Sequence, residues 1–503
     1  MKKNLFTLLL IILCLNFIGV AQNTIDWKIG SADKTQHYPQ SFYQDKDGNI
    51  YLLCFNGRSC TKDQGITVNK YTSDLQFVSK AEIKGDFSDF CQARIVLNHV
   101  CVSSLNILNK SDFVPSVIFY DFDGNLVKKI DFDATYNYSL CSAYDNPFGV
   151  NTYNPNGVNA TFSNVPPGNI EFNNLCYSKD EKTYIMWGYK KNQDLKGPTS
   201  NDYDLKVYVF DKQLEKIAEA SFNFVDVFSK IALFNTAIFD VTPKNKIVCL
   251  CRSDAFKGLK TEMAFAVFNE ENAKPVVYKY PFNDELITFT YNFGKFDEIF
   301  ICGTTFNNIP LLKVVPDKAF YFIKQSLNDI KVASPIIYDL KNQVCSTFPN
   351  YNEKLNDNTR NPCDIFVMSD GILFSACGYI GSFTFIKYSF TGKMQWIKMI
   401  NRKAASDCYD YSFKLDADKL KLSYEDIAEN VLNNSTKEVN IRNAIPTYAT
   451  ITSNGEISKT VLDKYRPVLH IPNKTLFTKD GCVLIYYPVV RKPDIFIGKV
   501  VVP

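Results

Sequence analysis

The residues best suited to contact a ligand lie in one long segment, residues 133–169, which is rich in Tyr, Asn, Gly and Pro. Five aromatic residues in it form our candidate binding set: Tyr136, Tyr138, Tyr144, Phe148 and Tyr153. Aromatic rings offer large contact areas and the intervening amides offer adaptable hydrogen bonds, a combination that suits sugars and peptides. A structural loop that covers a channel mouth is the alternative, since long ordered loops do not always bind ligands.

Residues suited to catalysis or metal binding are scarce, because the 503 residues include only 3 His. His37 and His470 fall at the predicted starts of first strands in neighbouring repeats, but no clear third metal ligand lies near them. Segments 45–49 and 121–125 resemble calcium loops, yet they lack the EF-hand spacing and are typical of tight turns. The sequence therefore favours a protein without a metal, a cofactor or catalytic residues, although it does not exclude an enzyme.

The elements that would position these residues form a repeat. An alternating apolar run, a turn of about four residues and a second run recur seven times. The turns are introduced by Tyr71, Tyr120, Phe210, Phe268, Ile323, Tyr388 and Ile451. A further pair of apolar runs precedes each hairpin, as residues 235–241 and 247–252 do in the fourth unit. Four strands per repeat are typical of the blades of a β-propeller.

The two ends of the chain suggest how the ring closes. Residues 482–487 and 494–502 belong to an eighth unit that lacks its outer strand, and residues 24–30 provide a spare strand. Pairing the two would remove an exposed sheet edge. We therefore predict an all-β propeller of eight four-stranded blades, closed by the N-terminal strand. Seven blades are the alternative if the second or the seventh unit is irregular.

The N-terminus is typical of a secretory signal peptide. Lys2 and Lys3 precede an apolar run over residues 5–20 and a small-x-small site that ends at Ala21. The run is shorter than the ~20 residues of a membrane-spanning helix. We predict a signal peptide over residues 1–21 and one propeller domain over residues 22–503, with 134–168 as an insertion between blades. The predicted location is the periplasm, the cell surface or the extracellular medium.

Composition indicates which classes of partner are unfavourable and how many disulfides to expect. The formal net charge of +3 argues against nucleic acid or an anionic membrane as the main partner. Seven of the 15 Cys lie inside apolar strand-like runs, where Cys acts as a small hydrophobic residue. One to three disulfides are nevertheless expected in an oxidising compartment, with Cys54–Cys60 and Cys345–Cys363 as candidates.

The chain resembles secreted multi-bladed propeller proteins of the Bacteroidetes type. The residues that carry the resemblance are the leader ending in Val20-Ala21-Gln22, the DGNIYLL and DGNLVKK segments (47–53 and 123–129), and residues 420–434 with 448–462. The resemblance implies a cell-envelope or extracellular location and no defined activity.

The lengths of the predicted connections indicate where a ligand would bind. Connections between second and third strands, and those between blades, are longer than the hairpin turns on the opposite face. We expect a binding or scaffold protein that recognises a protein, peptide or glycan through the face with the long connections. The alternative is a secreted carbohydrate-active enzyme, a lyase or hydrolase, with its site at the channel mouth.

Overall fold

The protein is an eight-bladed β-propeller, which confirms the predicted fold class and number of blades. Each blade is an antiparallel four-stranded sheet whose strands we call A to D, in the order A-B-C-D. The computed structural model describes residues 27–29, 38–55, 65–84, 91–107, 112–131, 136–137, 151–152, 160–161, 175–179, 182–191, 203–228, 234–253, 262–269, 274–282, 285–307, 317–348, 360–378, 381–404, 411–433, 435–440, 443–462, 468–470, 475–479, 481–488 and 496–501.

The first strand, β1 (Trp27–Ile29), belongs to the last blade, and blades 1 to 4 follow it along the chain. Blade 1 consists of β2 (Tyr38–Gln44), β3 (Ile50–Phe55), β4 (Ile66–Tyr71) and β5 (Phe77–Ile83). Blade 2 consists of β6 (Cys91–Val96), β7 (His99–Ile107), β8 (Asp112–Tyr120) and β9 (Leu126–Asp131). Three short strands come next: β10 (Tyr136–Asn137), β11 (Asn151–Thr152) and β12 (Ala160–Thr161). Blade 3 consists of β13 (Leu175–Tyr177), β14 (Tyr184–Lys191), β15 (Tyr203–Phe210) and β16 (Lys216–Asn223), followed by helix α1 (Phe224–Phe228). Blade 4 consists of β17 (Phe234–Val241), β18 (Ile247–Ser253), β19 (Glu262–Phe268) and β20 (Val276–Pro281).

Blades 5 to 8 complete the ring. Blade 5 consists of β21 (Glu285–Phe293), β22 (Glu298–Asn307), β23 (Asp317–Ser326) and β24 (Ile336–Asp339), followed by a π-helical turn (Leu340–Val344) and helix α2 (Cys345–Thr347). Blade 6 consists of β25 (Arg360–Met368), β26 (Gly371–Gly378), β27 (Phe383–Tyr388) and β28 (Met394–Ile400). The short strand β29 (Lys403–Ala404) precedes blade 7, which consists of β30 (Tyr411–Asp416), β31 (Lys419–Asp426), β33 (Ile445–Thr452) and β34 (Ile457–Val461). Helix α3 (Ala428–Asn433) and β32 (Glu438–Val439) lie in the connection between β31 and β33 of blade 7. Blade 8 contains β35 (Val468–His470), β36 (Leu476–Thr478), β37 (Gly481–Pro488) and β38 (Phe496–Val501).

The two ends of the chain close the ring as predicted. Strand β1 pairs antiparallel with β38, with Trp27 opposite Val500 and Ile29 opposite Gly498. Strand β1 is therefore the D strand of blade 8, supplied by the other end of the chain. The A strand of this blade is divided into β35 and β36, which both pair with β37.

The core lies between the blades. Eight clusters of buried apolar side chains fill the eight boundaries between neighbouring sheets. The cluster between blades 8 and 1 includes Val483 of β37 and Leu52 of β3, so the last boundary is packed like the others. Because each fully buried large apolar side chain contributes roughly 1.5–3 kcal/mol, this repeated packing stabilises the ring as a whole.

One turn recurs at the strand ends and explains the regular hairpins. Asp45 carries the pattern: its backbone N–H donates to Asn49 O, and its carboxylate accepts the N–H groups of Asp47 and Asn49. Gly48, at φ +84°, occupies the left-handed position that glycine adopts without strain. Asp121 makes the same bonds in the C–D turn of blade 2. The two Asp-x-Asp-Gly-Asn segments are thus turns, as predicted.

The cysteines whose side chains the structure describes are mainly core residues. Cys54, Cys101, Cys249, Cys251, Cys302 and Cys482 are buried within strands, as expected. The predicted Cys345–Cys363 disulfide is wrong, because both residues are thiols and Cys363 contacts Cys377 of the adjoining strand instead. The β25–β26 register is irregular between Pro362 and Asp364, where Cys363 lies, and Cys377 belongs to the strand that β25 pairs with. The other candidate pair includes Cys60, which lies outside the described residues.

Candidate functional site

The connections divide the propeller into two unequal faces. The face with the A–B and C–D turns, here the turn face, has connections as short as residues 97–98 and 369–370. The opposite face carries the B–C and D–A connections, here the loop face, and includes residues 132–174 and 427–444. The strand bounds therefore confirm that the long connections share one face, where binding sites on rigid scaffolds tend to lie.

The candidate binding residues belong to the longest of these connections. Tyr136 lies in β10, whose backbone pairs with β8 of blade 2 at Phe113. Strands β11 and β12 form a small ladder farther along, and β12 lies beside β17, the A strand of blade 4. The remaining four candidates lie outside the described residues: Tyr138, Tyr144, Phe148 and Tyr153. Their grouping with Tyr136 into one binding surface stays a prediction.

The histidines considered for a shared site are placed only in part. His37 lies outside the described residues, and His470 lies in β35 with its backbone opposite Tyr486. The third histidine, His99, is buried in blade 2, where its Nδ1 lies 2.5 Å from Tyr184 Oη of blade 3. Burial lowers the pKa of His99, which favours the neutral imidazole. The side chain therefore serves as a neutral hydrogen-bond partner of Tyr184 across the boundary between blades 2 and 3.

A polar cluster that sequence inspection did not anticipate lies in the central channel. Lys179, in the A–B turn of blade 3, places its Nζ 2.6 Å from Asp364 Oδ1 of β25 in blade 6. The same Nζ donates to the backbone carbonyl of Tyr291 in blade 5 and lies 4.7 Å from the centre of the Tyr291 ring. Blades 3 and 6 are not neighbours in the ring, so this side chain must cross the channel to reach its partner.

Asp240, near the end of the A strand of blade 4, completes what we call the channel cluster: Lys179, Asp240, Tyr291 and Asp364. Tyr291 Oη donates to Asp240 Oδ2 over 2.9 Å, and the Val241 N–H donates to Oδ1 over 2.7 Å. Burial raises the pKa of Asp240 to about 7, although these hydrogen bonds and the charge of Lys179 act in the opposite direction.

Further hydrogen bonds fix the A strands that carry the cluster. The Asp364 N–H donates to Ser375 Oγ over 3.1 Å, and Asp364 Oδ1 accepts the Ile365 N–H over 2.8 Å. Asn292 of blade 5 donates from Nδ2 to the Ile365 carbonyl of blade 6 over 2.7 Å. These contacts lock blades 5 and 6 together beside the channel, so the ion pair has a rigid support.

The channel cluster is suited to closing the channel rather than to catalysis. Asp240 and Tyr291 are fully buried, and the Lys179 side chain is 6% exposed. A general acid or base must come within hydrogen-bond reach of its substrate, which these buried groups do not allow. Lys179 lies in the A–B turn of blade 3 and Asp240 adjoins that of blade 4, so the channel cluster lies toward the turn face.

Neither a metal site nor a membrane-spanning helix is found among the described residues. Within the ranges given above, no group of three or more His, Cys, Asp or Glu side chains could hold a metal ion. In the same part of the chain, no helix combines the length and apolar character needed to cross a bilayer.

Comparisons with known proteins identify no family for this chain. No protein-family model matches the chain, and the search of curated proteins found no match. Among solved structures, the chain is similar to the acylaminoacyl peptidase of Pyrococcus horikoshii, with 10% identity over 92% of this chain and 60% of the peptidase and a TM-score of 0.38. The chain therefore spans about 60% of the length of that peptidase.

Two other structures match over most of their length. The β-propeller domain of the Trilobed protease from Pyrococcus furiosus shares 12% identity over 86% of this chain and 97% of that domain, with a TM-score of 0.38. The polysaccharide lyase Uly1 shares 10% identity over 85% of this chain and 90% of the lyase, with a TM-score of 0.40.

Proposed function

We propose that this chain is a secreted β-propeller that binds a protein, peptide or glycan through its loop face. The observation that carries the proposal is the contrast between the two ends of the channel. The channel cluster closes the side of the turns, whereas the long connections rim the other side. A ligand would therefore meet aromatic and amide side chains of the insertion over residues 134–168.

The chemistry of the described residues supports binding over turnover. Lys179 is held by Asp364, and Asp240 is held by Tyr291 and Val241, so none of these groups is directed at the loop face. Secretion follows from the predicted signal peptide over residues 1–21. A carbohydrate-active lyase or hydrolase is the competing function, and the same experiment separates the two.

The test compares the full chain with a variant in which a short Gly-Ser linker replaces residues 134–168. Binding of soluble polysaccharides and immobilised synthetic peptides is measured by interferometry. Release of reducing ends and of unsaturated sugar products is followed in parallel. The matched control changes two exposed turn-face residues of blade 3, Lys212→Ser and Gln213→Ser.

We expect at least one ligand class to bind the full chain and the control equally, and the deletion variant at least tenfold more weakly. The single variants Tyr136→Ala, Tyr144→Ala and Tyr153→Ala give the same information if the deletion impairs folding. Equal affinity in all variants would remove the insertion from the binding site. Turnover of a polysaccharide by the full chain would establish the enzyme instead.

A further inference from the structure

Blade 5 exposes large apolar side chains on the turn face, away from the proposed binding face. Phe296 lies in its A–B turn and is 80% exposed, and Ile330 lies in its C–D turn and is 81% exposed. Val332, Ile336 and Ile337 continue the exposed apolar surface along the same hairpin. We call these five residues the blade-5 patch. Single exposed apolar residues are common, but grouped ones indicate an interaction surface.

The structure brings the two turns of blade 5 together. The Leu327 N–H donates to the Asp297 carbonyl over 2.8 Å, so the start of the C–D turn is joined directly to the A–B turn that carries Phe296. Ile336 extends the patch to blade 6, because a Cβ placed on Gly392 would lie only 2.5 Å from Ile336 Cδ1. Phe296, Ile330 and Val332 therefore share the turn end of blade 5. From there Ile336 extends the exposed apolar surface toward blade 6, and Ile337, the next residue of the strand, extends it on the opposite face of the sheet.

A buried glutamine holds the C–D turn of blade 5 in shape. Gln325 donates from Nε2 to the carbonyls of Ser326 and Lys331, over 2.8 and 3.0 Å, and accepts the Ala333 N–H at Oε1 over 2.7 Å. Ile330 is thus presented to solvent by a turn with satisfied hydrogen bonds. A side chain fixed before binding loses little conformational entropy when a partner covers it.

The charge around the patch is positive. Three exposed lysines flank it: Lys244, Lys295 and Lys331. The last two adjoin Phe296 and Ile330 in sequence. Asp297 is buried and its carboxylate pairs with Lys244 and Lys246 of blade 4, so the two lysines outnumber it. Asp329 is the exposed acid of the C–D turn. An apolar surface with this excess of cations favours a partner that carries carboxylates beside a large apolar side chain.

The edge of the sheet favours an extended partner. Strand β24 is the D strand of blade 5, and among the described strands it pairs only with β23. An extended segment can add to such an edge through backbone hydrogen bonds, whereas a lipid surface gains nothing from them. We propose that the blade-5 patch binds an extended acidic protein segment that carries at least one large apolar side chain.

The probe for this proposal is a displayed library of random peptides selected on the full chain, followed by synthesis of the enriched peptides. Three double variants are compared: Phe296→Ser with Ile330→Ser, Lys295→Glu with Lys331→Glu, and the control Phe77→Ser with Leu126→Ser. The control removes similarly placed apolar side chains on blades 1 and 2, which are 52% and 62% exposed. Because all these side chains are exposed, we expect each variant to keep the melting temperature of the parent within a few degrees.

We expect the enriched peptides to combine Asp or Glu with a large apolar residue. Their affinity should fall about tenfold to a hundredfold in both patch variants and stay unchanged in the control. Equal binding by all variants would overturn the proposal. So would patch-dependent binding of phosphatidylglycerol vesicles without peptide binding, or a concentration-dependent dimer that the patch variants abolish. The variant lacking residues 134–168 should bind these peptides normally, so this test is separate from that of the loop face.

Discussion

Replacing Lys179 with Met is expected to lower the free energy of unfolding by about 3 to 5 kcal/mol. Met fills nearly the same space but leaves the Asp364 carboxylate, which is only 13% exposed, without its cation, and removes the hydrogen bond to the Tyr291 carbonyl. An unpaired buried charge is among the most destabilising changes a protein can undergo, because the lost ion pair no longer offsets desolvation.

The change is measured by urea unfolding and by the melting temperature of each variant. The control is Lys212→Met, an exposed lysine in the C–D turn of the same blade, which should stay within about 0.5 kcal/mol of the parent. The double variant Lys179→Met with Asp364→Leu should recover much of the loss, because it removes both charges. A loss below about 1 kcal/mol for Lys179→Met would show that the ion pair does not cross the channel in solution.

The second large effect concerns the pH dependence of stability. The pKa of Asp240 is about 7 in the folded protein, and an unfolded aspartate has a pKa near 3.8. Between these values the folded state holds a proton that the unfolded state releases, so this group stabilises the fold at acid pH and loses that effect as pH rises through 7. The contribution of Asp240 to the free energy of unfolding falls by on the order of 4 kcal/mol between pH 4 and pH 8.

Asp240→Asn removes the titrating proton and keeps the side-chain shape. We therefore expect its free energy of unfolding, relative to the parent, to increase from about pH 4 to about pH 7 and then to level off. The measurement is a series of urea unfolding curves at half-unit pH intervals, with Asp211→Asn as the control carboxylate in an exposed turn of blade 3. Parallel pH profiles for Asp240→Asn and the parent would contradict the protonation state inferred for the channel cluster.

Much of the fold could be predicted because its determinants are local. The Asp47-Gly48 turn and the alternating run that follows it specify a hairpin within a dozen residues, and the same turn signal recurs at Gly124, Gly371, Gly455 and Gly481. The closure by residues 24–30 could be predicted from the number of strands, because the last blade lacked its fourth strand and residues 24–30 were the spare one. The divided A strand of blade 8 and the bulge at Cys363 carried no such local signal.

The channel cluster was not predictable for a physical reason. Lys179, Asp240, Tyr291 and Asp364 come from four blades, and each is a single polar residue in or beside an apolar strand. The sequence marks Asp240 in AIFDV and Asp364 in CDIFVM as polar residues in buried strands, but their partners depend on how the ring closes. The five aromatic residues of the insertion were chosen for composition, which indicates binding chemistry without specifying a shared surface.

The ring closure is the claim on which the two faces, the closed channel and both binding proposals depend. It is tested most directly by the variant Lys28→Cys with Lys499→Cys, because these residues are directly opposite each other in the β1–β38 ladder. Opposed residues in antiparallel strands lie roughly 4.5–5.5 Å apart at Cα, within reach of a disulfide. Mild oxidation should yield a cross-linked peptide joining positions 28 and 499, whereas Lys28→Cys with Lys129→Cys should yield none. Failure of the first pair to cross-link, with full maleimide labelling of Cys introduced at position 28, would contradict the closed ring.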